Sequence, residues 1–126
     1  MAIKRVLVID DEDDIREVAQ VTLEIMAGLD VITARSSQEG LMKAEQEQPN
    51  AILLDVMMPG MDGMAAFQWL QKNPATQHIP VILLTAKVQP ADRIRFAALG
   101  VQAVIAKPFK PSQFVSQFLE ILGWTP

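Results

Sequence analysis

Residues 50–63 read NAILLDVMMPGMDG, and the fold class turns on this stretch. Ala51, Ile52, Leu53 and Leu54 form an apolar run without alternation, bounded by Pro49-Asn50 and by Pro59-Gly60. Such a run reads as a strand buried on both faces, as in a parallel sheet covered by helices on each side. It ends in a carboxylate, Asp55, and a loop carrying Pro59, Gly60, Asp62 and Gly63 follows. An Asp in this place can simply close a turn. In an open parallel sheet, however, ligands sit outside the carboxyl ends of the strands, which puts Asp55 where chemistry happens.

Outward from this strand, apolar runs and helical periodicities alternate. Lys4 to Asp10 (KRVLVID) is a second buried strand, and five acids follow in a row, Asp10, Asp11, Glu12, Asp13 and Asp14. Ile15, Val18, Ala19, Thr22, Leu23 and Met26 then recur at helical spacing up to Gly28. Acids at a helix N-terminus gain ~0.3–1 kcal/mol each from its dipole, which accounts for Glu12 to Asp14. Asp10 and Asp11, at the strand end, need another reason. Asp30 to Ala34 reads as a strand, and Ser36 or Ser37 can cap a helix running to about Gln48. Gly40 inside that helix costs ~1 kcal/mol relative to Ala. A helix from about Gly63 to Asn73 turns Met64, Phe67 and Leu70 inward. Ile79 to Thr85 is a fourth strand, Pro90 opens a helix to Gly100, Val101 to Ala106 is a fifth strand, and Pro111 opens a last helix ending near Gly123. Strand–helix alternation repeated in this way predicts an α/β doubly wound fold, a parallel sheet with helices on both faces.

Composition narrows the function classes. A chain of 126 residues suits one domain, residues 1–126, burying roughly two-thirds of its unfolded surface. Half of the residues are hydrophobic, yet no apolar run approaches the ~20 residues of a membrane span, and the N-terminus lacks a signal-peptide pattern. The absence of cysteine leaves no disulfide or thiolate metal site and suits a cytoplasmic location. A net charge of -4 argues against direct nucleic-acid binding. The expectation is a soluble cytoplasmic module with no output domain and no membrane contact.

The polar residues that close the strands carry the chemistry. Asp10 and Asp11 end the first strand, Asp55 the third, Thr85 the fourth, and Lys107 follows the fifth. A parallel sheet delivers all of them to one edge. Converging carboxylates repel one another and call for a cation, and oxygen ligands without His or Cys select Mg2+ over zinc. A carboxylate beside Mg2+, with an ammonium and a hydroxyl close by, is equipped to accept a phosphoryl group as an aspartyl phosphate.

Four motifs carry a family resemblance: Ile9-Asp10-Asp11-Glu12, residues 54–63 (LDVMMPGMDG), Leu84-Thr85-Ala86 and Ala106-Lys107-Pro108-Phe109. With them the chain resembles, over essentially its whole length, a receiver domain of two-component response regulators, of the single-domain, chemotaxis-regulator-like kind. The resemblance implies a flavodoxin-like, five-stranded (βα)5 fold with strand order 2-1-3-4-5. It implies phosphorylation of Asp55 from a phosphohistidine on a sensor histidine kinase or histidine phosphotransfer protein. Mg2+ would be held by Asp11, Asp55 and the Met57 backbone carbonyl, with Asp10 acting through water. Thr85 would be the switch hydroxyl, Lys107 would pair with the phosphoryl group, and the Lys107-Pro108 bond would be cis. The module would be a regulatory phosphoacceptor rather than an enzyme, promoting only its own phosphorylation and dephosphorylation. As a monomer or phosphorylation-dependent dimer, it would act on an unnamed downstream protein.

One departure concerns the switch. Where the family commonly has an aromatic residue, three positions before the Lys, this chain has Val104, and it contains no Tyr. The signal is therefore expected to pass through the Thr85–Gln89 backbone to the face formed by the fourth helix, fifth strand and last helix. Asp92, Arg93 and Arg95 are charged candidates on that face, and Phe114 or Phe118 apolar ones. Met57 and Lys87, two residues past Asp55 and Thr85, cannot orient a hydrolytic water as an acid or amide would, so a long-lived phosphoryl group is expected.

Other features carry less. His78, the sole histidine, reads as a solvated loop residue. Met57, Met58, Met61 and Met64 read as core filling, with a partner contact as the alternative. The last helix, with Phe114, Val115, Phe118, Leu119, Ile121 and Leu122, is apolar over more than one stripe, so its surplus and Trp124 serve either the core or a partner. An FMN-binding flavodoxin shares the architecture but needs a phosphate loop where this chain has acids. An aspartyl phosphatase would draw its nucleophile and second acid from one strand end. A degenerate receiver that only binds protein is a further alternative, against which stands the complete set of acidic-site residues.

Overall fold

A computed structural model describes residues 3–58, 63–86 and 89–124. Among these, strands and helices alternate as β1 (Arg5–Ile9), α1 (Asp13–Ala27), β2 (Asp30–Ala34), α2 (Ser37–Glu47), β3 (Ala51–Asp55), α3 (Gly63–Lys72), β4 (Val81–Thr85), α4 (Pro90–Ala98), β5 (Ala103–Ala106) and α5 (Pro111–Leu122). The strands pair in parallel in the order β2-β1-β3-β4-β5, the doubly wound, flavodoxin-like arrangement expected.

Successive strand side chains point to opposite faces, so unalternating apolar runs feed two separate cores. Leu7, Ile9, Ile52, Leu54, Val81 and Leu83 meet Ala44 of α2, Phe67 and Leu70 of α3, and Phe96 of α4. Val6, Val8, Ala51, Leu53, Ile82, Leu84 and Ile105 meet Ala19 and Leu23 of α1 and Phe114 and Phe118 of α5. Every residue of β3 and β4 is buried, which is why these two segments read as continuous hydrophobic sequence.

The Ser36 hydroxyl caps α2, accepting the Glu39 N–H at 3.2 Å. Gly40, unfavourable by propensity, has a packing reason. A β-carbon there would lie 2.8 Å from Ile9 Cγ1, so its absence lets α2 settle onto β1. Two strands start later than the sequence suggests. The Ile79 N–H turns back to the Thr76 carbonyl, and Pro80 has no N–H for the ladder, which delays β4 to Val81. The Val101 N–H closes the end of α4 on the Phe96 carbonyl, and β5 begins at Ala103.

Much of the surplus apolar surface of α5 is taken up within the domain. Ile121, Leu122 and Trp124 pack against the α1–α5 core, and Trp124 stands edge-on to Phe118 with ring centroids 5.9 Å apart, beneath the Lys4 ammonium. Phe114 and Phe118 are wholly buried. They are core residues, not surface contacts as the sequence suggested, because α5 is flanked by both the sheet and α1. Met58 and Met64 likewise pack into the core, whereas Met57 is exposed. His78 is exposed, as a loop residue should be.

Candidate functional site

Parallel register fixes the site before any side chain is considered. Ile9 pairs with Leu54, Asp55 with Leu84, and Thr85 with Ala106, so Asp10, Asp55, Thr85 and Lys107 arrive at one sheet edge. The Lys107 N–H donates to the Thr85 carbonyl at 2.9 Å, tying the ends of β4 and β5. The Lys107-Pro108 peptide is cis, as the family resemblance implied.

Asp10, Asp55 and Thr85 are buried, while Asp11 is exposed at the rim. Asp10 Oδ1 accepts the Glu12 N–H at 2.8 Å, and Asp55 Oδ1 accepts the Met57 N–H at 3.2 Å. The Lys107 ammonium lies 3.0 Å from Asp10 Oδ2, 3.2 Å from Glu12 Oε1 and 3.3 Å from Asp55 Oδ1. Gly63 closes the site from the side of α3. Its N–H donates to the Val56 carbonyl at 2.9 Å, and a β-carbon there would fall 2.7 Å from Val56 Cα and against the Asp55 carbonyl.

The charges are imperfectly compensated. Burial, then repulsion from Asp10, pushes the Asp55 carboxyl up to about 6, against the opposing pull of Lys107 and the Met57 N–H. Burial also raises Asp10, despite the Glu12 N–H and Lys107. For Lys107, burial pulls downward, but Asp10, Asp55 and Glu12 together outweigh it and hold the amine above its ordinary value. Carboxylate oxygens of Asp10, Asp11 and Asp55 lie within 4.8 Å of one another. Among the described residues no donor makes a hydrogen bond to the buried Asp55 Oδ2. Asp10 Oδ2 also lacks one, having only the ion-pair contact with Lys107. Such oxygens are expensive to leave unsatisfied. A hard divalent cation would satisfy them, so this donor set fits Mg2+.

Two neighbours escaped the sequence reading. Glu12, taken as a helix-dipole acid, is the N-cap residue of α1 and pairs with Lys107 instead. Arg16 points back from α1, donating to the Asp10 carbonyl at 2.8 Å and pairing with Asp13. Helical spacing counts Arg16 as a polar-face residue and gives no hint of this return. Val104 packs against the α2–α3–α4 core. Lys87, Pro59, Gly60, Met61 and Asp62 lie outside the described residues.

The family model of the response regulator receiver domain matches residues 6–118. The chain belongs to this family. Receiver domains are regulatory phosphoacceptor modules of two-component systems, switched by phosphorylation, and they bind Mg2+ at an acidic pocket. This receiver domain is 39% identical over 119 residues to the alkaline phosphatase synthesis transcriptional regulatory protein PhoP of Bacillus subtilis, covering 94% of the chain and 48% of that protein. It is 40% identical to the probable transcriptional regulator ycf27 of Cyanophora paradoxa, over 97% of the chain and 49% of that protein. The chain thus spans about half the length of the curated relatives it matches. Chemotaxis protein CheY4 of Vibrio cholerae superposes with a TM-score of 0.88 at 29% identity, covering 95% of this receiver domain and 99% of that chain. No helix among the described residues is long and apolar enough to cross a membrane.

Proposed function

We propose that this receiver domain accepts a phosphoryl group on Asp55 from a phosphohistidine of a sensor kinase or phosphotransfer protein. The observation that carries this reading is the buried Asp55 carboxylate, with Oδ1 3.3 Å from the Lys107 ammonium and Oδ2 lacking a hydrogen bond beside Asp10 and Asp11. Asp11, Asp55 and the Met57 carbonyl would hold Mg2+, with Asp10 acting through water. The ion would supply charge neutralisation at the phosphoryl oxygens.

Asp55 attacks phosphorus in line, the P–N bond breaks, and its electron pair leaves with the donor imidazole. Lys107, held charged by its three acidic neighbours, moves from Asp55 Oδ1 to a phosphoryl oxygen. Thr85, buried at the end of β4, turns its hydroxyl to another oxygen and draws the following backbone with it. The displacement reaches α4, β5 and α5, where Arg93, Ala97, Val104, Gln117 and Ile121 line a concavity of about 580 Å³. With Phe114 and Phe118 buried, the apolar contact for a downstream protein falls to the exposed Ile94 and this concavity.

Intact-protein mass spectrometry after acetyl phosphate and Mg2+ tests the assignment. One phosphoryl group should be gained by the wild type and none by Asp55→Asn. Equal labelling of the variant rules Asp55 out as the acceptor.

A further inference from the structure

Arg16 belongs to α1 by sequence, but its guanidinium serves the loop before that helix. One nitrogen donates to the Asp10 carbonyl at 2.8 Å, another pairs with the Asp13 carboxylate, and the Arg16 backbone N–H closes the first helical turn on the Glu12 carbonyl at 3.0 Å. The side chain is only 12% exposed, whereas Asp13 is 80% exposed, so the fork faces inward against the loop. The Asp10 carbonyl belongs to the peptide that joins Asp10 to Asp11. Fixing that oxygen fixes the peptide plane, and with it the direction in which Asp11 leaves β1. Asp10 itself is anchored three ways, by the Ala34 carbonyl, the Glu12 N–H and Lys107. The Asp11 carboxylate makes no hydrogen bond or ion pair among the described residues, so its placement depends on the peptide behind it.

We infer that Arg16 is a positioning residue for Mg2+ at this site, acting by clamping the Asp10–Asp11 peptide so that Asp11 faces Asp55. This rests on the reading of the acidic cluster as a Mg2+ site. A planar fork suits the task, because it can meet a carbonyl and a carboxylate at once in fixed geometry. The sign of its effect distinguishes the role. As a mere nearby positive charge, Arg16 would repel Mg2+, and deleting it would tighten binding. As a clamp, its loss weakens binding, in the manner of groups that orient metal ligands from behind.

Calorimetric titration with MgCl2 of wild type, Arg16→Met, Arg16→Lys and Asp11→Ala decides the matter, with thermal midpoints and amide spectra recorded alongside. Arg16→Met should bind Mg2+ about 10-fold more weakly, with shifted amide signals at residues 10–13. Arg16→Lys should fall between, since one ammonium replaces a two-armed donor. Unchanged or tighter binding by folded Arg16→Met overturns the inference, as does a lowered thermal midpoint with undiminished affinity. Should Arg16→Met fail to fold, Arg16→Lys decides, and wild-type affinity in that variant overturns it equally. A wild type that does not bind Mg2+, or Asp11→Ala binding as well as wild type, instead removes the metal site itself and this inference with it.

Discussion

Asp55→Asn should make the domain more stable when divalent cations are withheld. Asp55 is buried beside Asp10, and its carboxyl is pushed from 3.8 to about 6. At pH 7.5 it is ionised in both the folded and unfolded states, but the folded state holds that charge at a disadvantage of ~3 kcal/mol. Asn removes the charge and keeps the shape, while Lys107 retains Asp10 and Glu12. Part of the gain is lost because the amide must itself be satisfied, leaving an expected ~1–3 kcal/mol. For a domain of this size that corresponds to roughly 4–10 °C in thermal midpoint. The pH dependence follows from the same shift. Between about 6 and 3.8 the folded state binds the proton that the unfolded chain has released. The wild-type disadvantage is therefore full above about 6 and fades as pH falls toward 3.8, so the gap between variant and wild type should narrow from pH 7.5 to 5. Mg2+ at ten times its dissociation constant should return ~1.4 kcal/mol to the wild type and little to the variant. Urea unfolding in EDTA, repeated across pH and with Mg2+, measures all of this. A variant no more stable than wild type at pH 7.5 in EDTA would refute the electrostatic reasoning.

Gly63→Ala should destabilise the domain by ~1–3 kcal/mol and slow phosphorylation, because its β-carbon meets the Asp55 carbonyl and Val56 Cα; unchanged denaturation and labelling would contradict the close approach. Thr85→Ala should still be phosphorylated but lose the amide shifts across α4, β5 and α5 that a phosphoryl mimic with Mg2+ produces. A wild-type response in that variant excludes the hydroxyl as the switch. Met57→Asn with Lys87→Glu should shorten the phosphoryl lifetime by supplying groups that orient water; equal decay of the phosphorylated proteins, followed by mass spectrometry, would refute this.

The strand ends were legible because a parallel sheet leaves little choice. Once Ala51–Leu54 and Val81–Leu84 read as doubly buried, Asp55 and Thr85 had to emerge at one edge with Asp10 and Lys107. Side chains that double back were not legible. Glu12 and Arg16 both lie at the start of α1, where acids and polar-face residues already have an ordinary explanation in the helix dipole and amphipathic spacing. Their partners, Lys107 and the Asp10 carbonyl, become apparent only when the turn between β1 and α1 is seen. The apolar width of α5 left core and partner contact equally open, because sequence cannot tell a helix with one buried neighbour from a helix with two. Gly40 weakened the helix by propensity alone, yet α2 forms as expected, because the missing side chain admits Ile9.

The two tryptophans stand in unlike surroundings, which gives the protein a built-in optical contrast. Trp69 on α3 is 60% exposed, while Trp124 is held edge-on to Phe118 beneath Lys4. With most of its ring in solvent, Trp69 should change its emission little on unfolding. Trp124 is the fluorophore whose colour and quenching report the seating of α5 against α1. A Trp69→Phe variant would therefore isolate one spectroscopic window on the α1–α5 side of the sheet, separate from events beneath α2 and α3.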